Sequence, residues 1–180
     1  MNQVRVTLTR NIVGSTLIYP YARHMQVSQL PIYEVPLYQL RIEPNTVFKA
    51  VRFGLTPQDP PPATRTCNVG LFRQRVAHPA WVPGYSPHSF AGAGRPGAWR
   101  ILPGQQYLLH EGSDPSEGSY GGSLGCVELA GAMAWNSFLS TLERLAGANC
   151  AAIGAAQAMT LVIENATYTQ ARLKRIIQLR

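Results

Sequence analysis

Apolar and polar residues alternate along several runs in the first half of the chain. Two of these runs are VRVTLTR (4–10) and TVFKAVRF (46–53), and STLIYP (15–20) follows the first after a short turn that contains Gly14. Alternation with a period of two places one side of an extended strand against a core and the other side toward polar surroundings. These runs therefore predict β-strands.

Shorter runs continue the same pattern. Pro31 and Pro36 interrupt the next apolar stretch, although LYQLRI (37–42) still alternates. The remaining predicted strands are residues 65–76, as one strand or as two halves, residues 106–110, which end on His110, and residues 159–164, followed by another strand or a short helix.

One segment, about residues 130–146, has helical spacing instead. Its apolar residues recur every three or four positions, and Gly147 is placed to end the helix. These apolar residues are Trp135, Phe138, Leu139, Leu142, Leu145 and Ala146. The sequence thus predicts a single domain over residues 1–180 that is mainly β, with one packed helix.

The charge of the chain is basic but unevenly distributed. The net charge is +7, yet residues 101–143 contain five acidic residues and no Lys or Arg. The arginines, all outside that range, are scattered singly and form no basic run, so nucleic-acid binding is not indicated. No run approaches the roughly 20 apolar residues of a membrane span. The N-terminal residues lack the regions of a secretory signal, so we expect a chain made in the cytoplasm without a Sec signal.

The three cysteines differ in their surroundings. Cys150 lies among alanines, which is typical of a buried small residue, and Cys67 lies on or beside a predicted strand. A disulfide between Cys67 and Cys150 is possible, and an odd number of cysteines leaves one thiol free. No CxxC pair is present, so a structural zinc site is not indicated.

The third cysteine belongs to the segment HEGSDPSEGSYGGSLGCVEL (110–129), which has one histidine at its start. A cysteine acts as a nucleophile when a nearby imidazole or a group of backbone amides stabilises its thiolate. The glycines before Cys126 permit a tight turn that brings amides close to the sulfur. The intervening loop is long enough to return Cys126 to His110, and a backbone carbonyl would be able to orient the imidazole.

The segment His110…Ser123-Leu124-Gly125-Cys126-Val127, within the motif region 106–130, resembles the active-site signature of L,D-transpeptidases with the YkuD-type catalytic domain. In that family a histidine precedes a Ser/Thr-His-Gly-Cys-aliphatic motif by some fifteen to twenty residues. The resemblance implies a β-sandwich-like catalytic domain with a helix after the cysteine. Leu124 stands where the family has a histidine, and Glu128 stands where the family commonly has an arginine.

The resemblance also implies roles for the matched residues. Cys126 would be the nucleophile and His110 the base, while Ser123 and Gly125 would shape the turn, with the Gly125 and Cys126 amides as oxyanion donors. The substrate would be a peptidoglycan stem tetrapeptide that loses D-alanine, by carboxypeptidase, transpeptidase or D-amino-acid exchange chemistry. No metal or organic cofactor would be needed.

The Ser-x-Gly-Cys form is similar to that of type VI secretion L,D-transpeptidase effectors, which are antibacterial toxins made without a signal peptide. Membership of that group would imply action in the periplasm of a target bacterium. It would also imply a cognate immunity protein and a component of the secretion apparatus as partners.

A long irregular region, residues 77–98, supplies candidates for substrate contacts. They are Tyr85, His88 and Arg95, together with Glu111 beside the candidate base. We interpret Trp81 and Trp99 as packing residues, and His24 and His78 as structural.

Two other functions remain open on the residues alone. The chain is also interpretable as a non-catalytic β-rich binding or structural module of a phage or secretion apparatus with a degenerate site, which Leu124 favours. A metal site formed by His110, Cys126 and an acid such as Glu111 or Glu128 is a third hypothesis, although only two soft ligands are visible.

Overall fold

The computed structural model describes residues 1–20, 29–57, 63–85, 95–112, 122–131, 133–167 and 171–178. Within these ranges, ten strands form one curled sheet in the order β6-β11-β1-β2-β3-β10-β9-β8-β7, with β12 also paired to β2, and β4 pairs with β5 separately. The strands are β1 (Val4–Ile18), β2 (Gln29–Ile42), β3 (Thr46–Val51), β4 (Leu55–Pro57), β5 (Thr64–Thr66), β6 (Arg75–Ala77), β7 (Ala80–Val82), β8 (Ala98–Arg100), β9 (Leu108–Glu111), β10 (Val127–Leu129), β11 (Met159–Ile163) and β12 (Arg172–Gln178). The prediction of a mainly β fold is confirmed.

The first strand corrects the predicted turn at Gly14. Residues 4–18 form one continuous strand, and its register against β2 shifts between Leu8 and Ile12 and again between Ile12 and Gly14. Such irregularities insert extra residues into one strand and bend it without ending the pairing. The glycine therefore marks a bulge in a long curled strand.

The two prolines of β2 are accommodated within a single strand. Pro36 pairs with Ser15 of β1, while on the other side of β2 the pairing with β12 ends at Glu34 and that with β3 begins at Tyr38. The proline thus lies where one side of the strand has no ladder partner among the described residues. Because proline lacks an amide hydrogen, it is best tolerated where a strand is unpaired on one side.

The segment 65–76 forms two separated strands, as one of the two predictions had it. A 3-10 helix, Val69–Phe72, lies between β5 and β6, and it begins after Asn68 in the left-handed conformation with φ of 68°. Asparagine tolerates this conformation better than most residues. The turn at Asn68 brings its side chain back over the loop that carries Cys126, as described below.

Two helices pack on one side of the sheet in the described ranges. Helix α1 (Ala134–Ala146) begins later than predicted but ends at Gly147, whose amide donates to the Glu143 carbonyl. Its buried residues are Trp135, Phe138, Leu139, Leu142 and Ala146. Helix α2 (Cys150–Ala155) was not predicted, and Asn149 caps it by accepting the Ala152 amide. Neither helix is long and apolar enough to cross a membrane.

The sheet buries both of its faces, against different groups of residues. Ala50, Leu109 and Val127 belong to the larger core, which also contains α1 and α2. Val51 belongs to a second core with Ile18, Tyr33, Val35, Leu37 and Leu55. Since successive side chains of a strand point to opposite faces, the residues in register with Val51 face away from the helices.

Glu143 joins three parts of the fold near the end of α1. Its carboxylate receives two hydrogen bonds of 2.7 Å from the Arg95 guanidinium and one of 3.0 Å from the Cys150 amide at the start of α2. The Arg95 hydrogen bonds, followed by those of Cys150, lower the Glu143 pKa to about 2, against the opposing effect of burial. A bidentate pair of this kind also fixes the orientation of both side chains.

Glu143→Gln is therefore expected to destabilise the protein by about 1 kcal/mol at pH 7, since the pair is partly exposed and solvent screens it. A lowered carboxyl pKa contributes stability above the unfolded value, and that contribution is lost as pH falls toward about 2. Urea unfolding at pH 7 and pH 3 measures the difference. A gap between the two proteins that does not shrink at pH 3 would contradict the assignment.

Candidate active site

The site is built on two adjacent parallel strands, β9 and β10. Glu128 is in register with His110, and Val127 is in register with Leu109. Residues in register on neighbouring strands share a face, and Glu128 is also in register with Val51 of β3. His110 and Glu128 therefore lie on the face of the sheet that points away from α1.

Cys126 lies directly before β10, whose first residue, Val127, is in register with Leu109 of β9. Its thiol interacts with the backbone of Leu108, and its Sγ lies 3.8 Å from the Gln106 carbonyl oxygen. His110 is the next residue of β9 that lies on the same face as Leu108. Because His110 is in register with Glu128, two residues after Cys126, the candidate nucleophile and the candidate base lie on adjacent chain segments.

The imidazole of His110 is held by the backbone of its own strand. Its Nδ1 is hydrogen-bonded to the carbonyl oxygen of Glu111, and the side chain is only 3% exposed. A carbonyl oxygen only accepts, so Nδ1 carries the proton, and in the neutral ring Nε2 keeps its lone pair. The ring of Tyr85 packs beside it, with the two centroids 5.8 Å apart. The arrangement leaves Nε2 as the basic atom.

The thiol of Cys126 is not activated in the resting structure. Burial raises its pKa above the ordinary value, and the charge of Glu128 raises it further, whereas the backbone of Leu108 and the hydroxyl of Ser123 lower it. A thiol with a raised pKa is protonated at neutral pH. Nucleophilic chemistry at Cys126 thus requires a base that removes the proton during the reaction.

The turn before Cys126 is organised by the hydroxyl of Ser123. Ser123 Oγ accepts the Gly125 amide at 2.7 Å and donates to the Cys126 carbonyl at 3.3 Å. The Ser123 carbonyl in turn accepts the Leu55 amide at 3.1 Å, which ties the turn to β4. The Gly125 amide was expected to donate to an oxyanion, but it already donates to Ser123. Of the two expected donors, the Cys126 amide is the one that lies beside the sulfur.

Gly125 packs directly against a residue that the sequence analysis did not select. Its φ is +117°, and a Cβ added there would lie 1.2 Å from Nδ2 of Asn68. Asn68 is buried, and its Nδ2 has no hydrogen-bond partner among the described residues. The sequence offered one indication of Asn68, because asparagine tolerates the left-handed conformation. The contact with Gly125 could not be predicted, because the two residues are more than fifty positions apart in the chain.

Glu128, which the sequence analysis noted, is buried beside the site, and its protonation state could not be predicted from the sequence. The side chain is 2% exposed, and burial raises its pKa to about 8, while the nearby Ser123 hydroxyl opposes that rise. A carboxyl group in this state is largely neutral at pH 7. Glu128 thus adds no full negative charge beside Cys126 at that pH.

Of the other candidate residues, some lie beside His110 and others lie elsewhere or outside the described ranges. Tyr85 lies beside His110, and Glu111 contributes its backbone carbonyl to the same ring. Arg95 was expected to contact a substrate carboxylate. In the structure its guanidinium instead pairs with the carboxylate of Glu143 in α1. Leu124 is 47% exposed at the turn. His88 and His24 lie outside the described residues.

The described thiols and acids do not assemble a metal site. Within those ranges, no group of three or more His, Cys, Asp or Glu side chains is arranged to hold a metal ion. All three cysteines are free thiols, and Cys150 is buried at the start of α2. The possible disulfide between Cys67 and Cys150 is therefore not formed in this structure.

Comparisons with known proteins add no relative. Neither a protein-family model, nor a curated protein, nor a solved structure matches the chain.

Proposed function

We propose that this protein is a cysteine acyl-transfer enzyme that acts on peptidoglycan stem peptides. The observation that supports the proposal most is the position of Cys126 directly before β10, on which Glu128 is in register with His110 of the adjacent parallel strand, together with the hydrogen bond between Nδ1 of the imidazole and the Glu111 carbonyl. That arrangement would supply a nucleophile, and a base whose unprotonated nitrogen is Nε2. The resemblance of residues 110–127 to the L,D-transpeptidase signature supplies the substrate class.

The proposed reaction begins with transfer of the Cys126 proton to Nε2 of His110. The sulfur attacks the carbonyl carbon at the L-centre of diaminopimelate, and the oxyanion that forms is stabilised by the Cys126 amide. Collapse of the intermediate breaks the peptide bond, and His110 returns the proton to the departing amine of D-alanine. A thioester remains on Cys126, and water or an amine then releases the acyl group.

The test is mass spectrometry of muropeptides after incubation of purified cell wall with the protein. We expect tetrapeptides to be converted to tripeptides, to cross-linked products or to exchanged products, with wild type but not with Cys126→Ala. Unchanged muropeptides over a range of pH would contradict the proposal. In the effector form of the proposal, the same reaction occurs in the periplasm of a target cell, so growth arrest should follow export of wild type and not of Cys126→Ala.

A non-catalytic binding module is the second candidate. The raised pKa of the Cys126 thiol and the exposed Leu124 in the family's histidine position favour it. If Cys126→Ala retains a stable association with a secretion or phage component while muropeptides stay unchanged with wild type, this second function replaces the first.

A further inference from the structure

A cavity of about 550 Å³ lies where β1 begins and β2 ends. Its lining combines charged and apolar side chains, among them Arg5, Arg41, Glu43, Val4, Pro44 and Leu145. It lies beside the start of β3, since Ile42 at the end of β2 is in register with Thr46. The candidate active site lies at the other end of β3, where Val51 is in register with Glu128. The cavity is therefore a separate site, and its volume is typical of pockets that hold small organic ligands.

The two arginines of the cavity project from the same face of the sheet. Val6 and Ile42 are in register and belong to the core that contains the helices, so the residues beside them point to the opposite face. The Glu43 amide donates to the Arg5 carbonyl at 3.0 Å, and this register places Arg41 diagonally across from Arg5. Diagonal neighbours on a sheet are close enough for long side chains to contact one ligand.

One of the two guanidinium groups is already paired, and the other is not. Nε of Arg5 lies 3.3 Å from the Glu43 carboxylate. Within the described ranges, no ion pair or side-chain hydrogen bond involves Arg41. Its neighbours in register, Thr7 and Val47, carry no charge. The lining thus has one uncompensated positive charge, which suits a ligand with one negative charge better than a dianion, because Glu43 would repel the second charge.

The apolar side of the cavity is held in place by the N-terminal segment. Nδ2 of Asn2 donates to the Leu145 carbonyl at 3.1 Å, and the Asn2 amide donates to the Ala146 carbonyl at 2.9 Å. These bonds fix the segment to the end of α1. Val4, Pro44 and Leu145 consequently form an apolar wall next to the arginines, against which an apolar group of a ligand can be buried.

We propose that this cavity binds an organic monocarboxylate, whose carboxylate pairs with the guanidinium of Arg41 and whose apolar group packs against Leu145. A guanidinium offers a carboxylate two parallel N–H donors, so the contact fixes the orientation of the ligand as well as balancing its charge. The inference goes beyond the proposed function and does not rest on it, because the cavity shares no residue with the candidate active site.

The test is NMR titration of the intact protein with N-acetylleucine, a probe that has one carboxylate and one apolar side chain. We expect saturable shifts of the Arg41 side-chain Nε–H and of the Leu145 methyl groups, with a Kd of about 1–10 mM. N-acetylleucinamide has the same apolar group without the charge, so it should give no saturable shift. Arg41→Gln should weaken the binding of N-acetylleucine about tenfold.

Lys49→Gln is the matched control, because Lys49 lies on the same face of the sheet as Arg41 and does not line the cavity. It removes the same charge and should leave the affinity within about twofold of wild type. Glu43→Gln frees Arg5, so phenyl phosphate, which carries up to two negative charges, should bind this variant about fivefold more tightly than wild type.

Four results would overturn the inference: equal losses in Arg41→Gln and Lys49→Gln, binding of the amide as strong as that of the acid, no saturation by N-acetylleucine, or tighter binding of phenyl phosphate than of N-acetylleucine to wild type. Equal losses would reduce the effect to general attraction by a basic surface. The outcome of the muropeptide assay bears on the proposed function alone, so the failure of one proposal is distinguishable from the failure of the other.

Discussion

Replacement of Cys126 by alanine is expected to reduce tetrapeptide conversion on the order of 10³-fold or more, because in the proposed reaction the sulfur forms the bond to the acyl group. The fold should persist, since the side chain is only partly buried and the turn is held by Ser123 and Asn68. The measurement is product formation per enzyme, with thermal unfolding of the same samples. His110→Ala and the double variant should lose about as much as the single one, since nucleophile and base act as a unit.

Cys67 provides the matched control for that variant. Its Sγ lies 4.0 Å from the Ser123 carbonyl, and burial raises its pKa to about 11, so it is a neighbouring thiol with little thiolate. Cys67→Ala should retain conversion within a few-fold of wild type. Conversion that survives in Cys126→Ala and disappears in Cys67→Ala would assign the chemistry to the wrong sulfur and contradict the proposal.

Gly125→Ala is expected to have the second largest effect, through the shape of the turn. The added Cβ would overlap the side chain of Asn68, and φ of +117° is unfavourable for alanine in any case. We expect a loss of several kcal/mol in the free energy of unfolding, with conversion reduced even where the protein folds. Urea unfolding monitored by circular dichroism measures the first effect.

Gly131 separates the two causes of that loss. It has almost the same φ, +115°, but an added Cβ there would meet only Ala134 at an ordinary distance of 3.9 Å. Gly131→Ala should therefore cost about 1–3 kcal/mol from backbone strain alone. Equal losses in the two variants would show that Asn68 does not hold the turn, and a partial rescue of Gly125→Ala by Asn68→Gly would show that it does.

Local patterns in the sequence predicted much of the sheet and the main helix. Alternation identified β3, and a short apolar run identified β9, while the end of α1 followed from Gly147. The bulge in β1 was misread as a turn because glycine favours both, and only the pairing with β2 distinguishes them. Helix α2 was missed because six residues rich in alanine and glycine carry too weak a periodic signal.

The site was predictable to the extent that it depends on neighbouring residues. His110, Ser123, Gly125 and Cys126 could be chosen from the order of residue types in one loop. Asn68 contacts Gly125 only because the folded chain places the segment after β5 against the turn before Cys126. No local sequence pattern could indicate that contact. The neutral state of Glu128 depends on burial by strands β1 and β3, which composition does not report.

The most direct test of cysteine acyl transfer is peptide mass spectrometry after the protein reacts with a carbapenem, a strained acylating agent. The expected result is one added mass, confined to the peptide that carries Cys126 and absent in Cys126→Ala and in His110→Ala. A mass on the Cys67 peptide alone, with Cys126 unmodified, or no adduct under conditions where a thiol reagent alkylates Cys126, would contradict a nucleophilic role for Cys126.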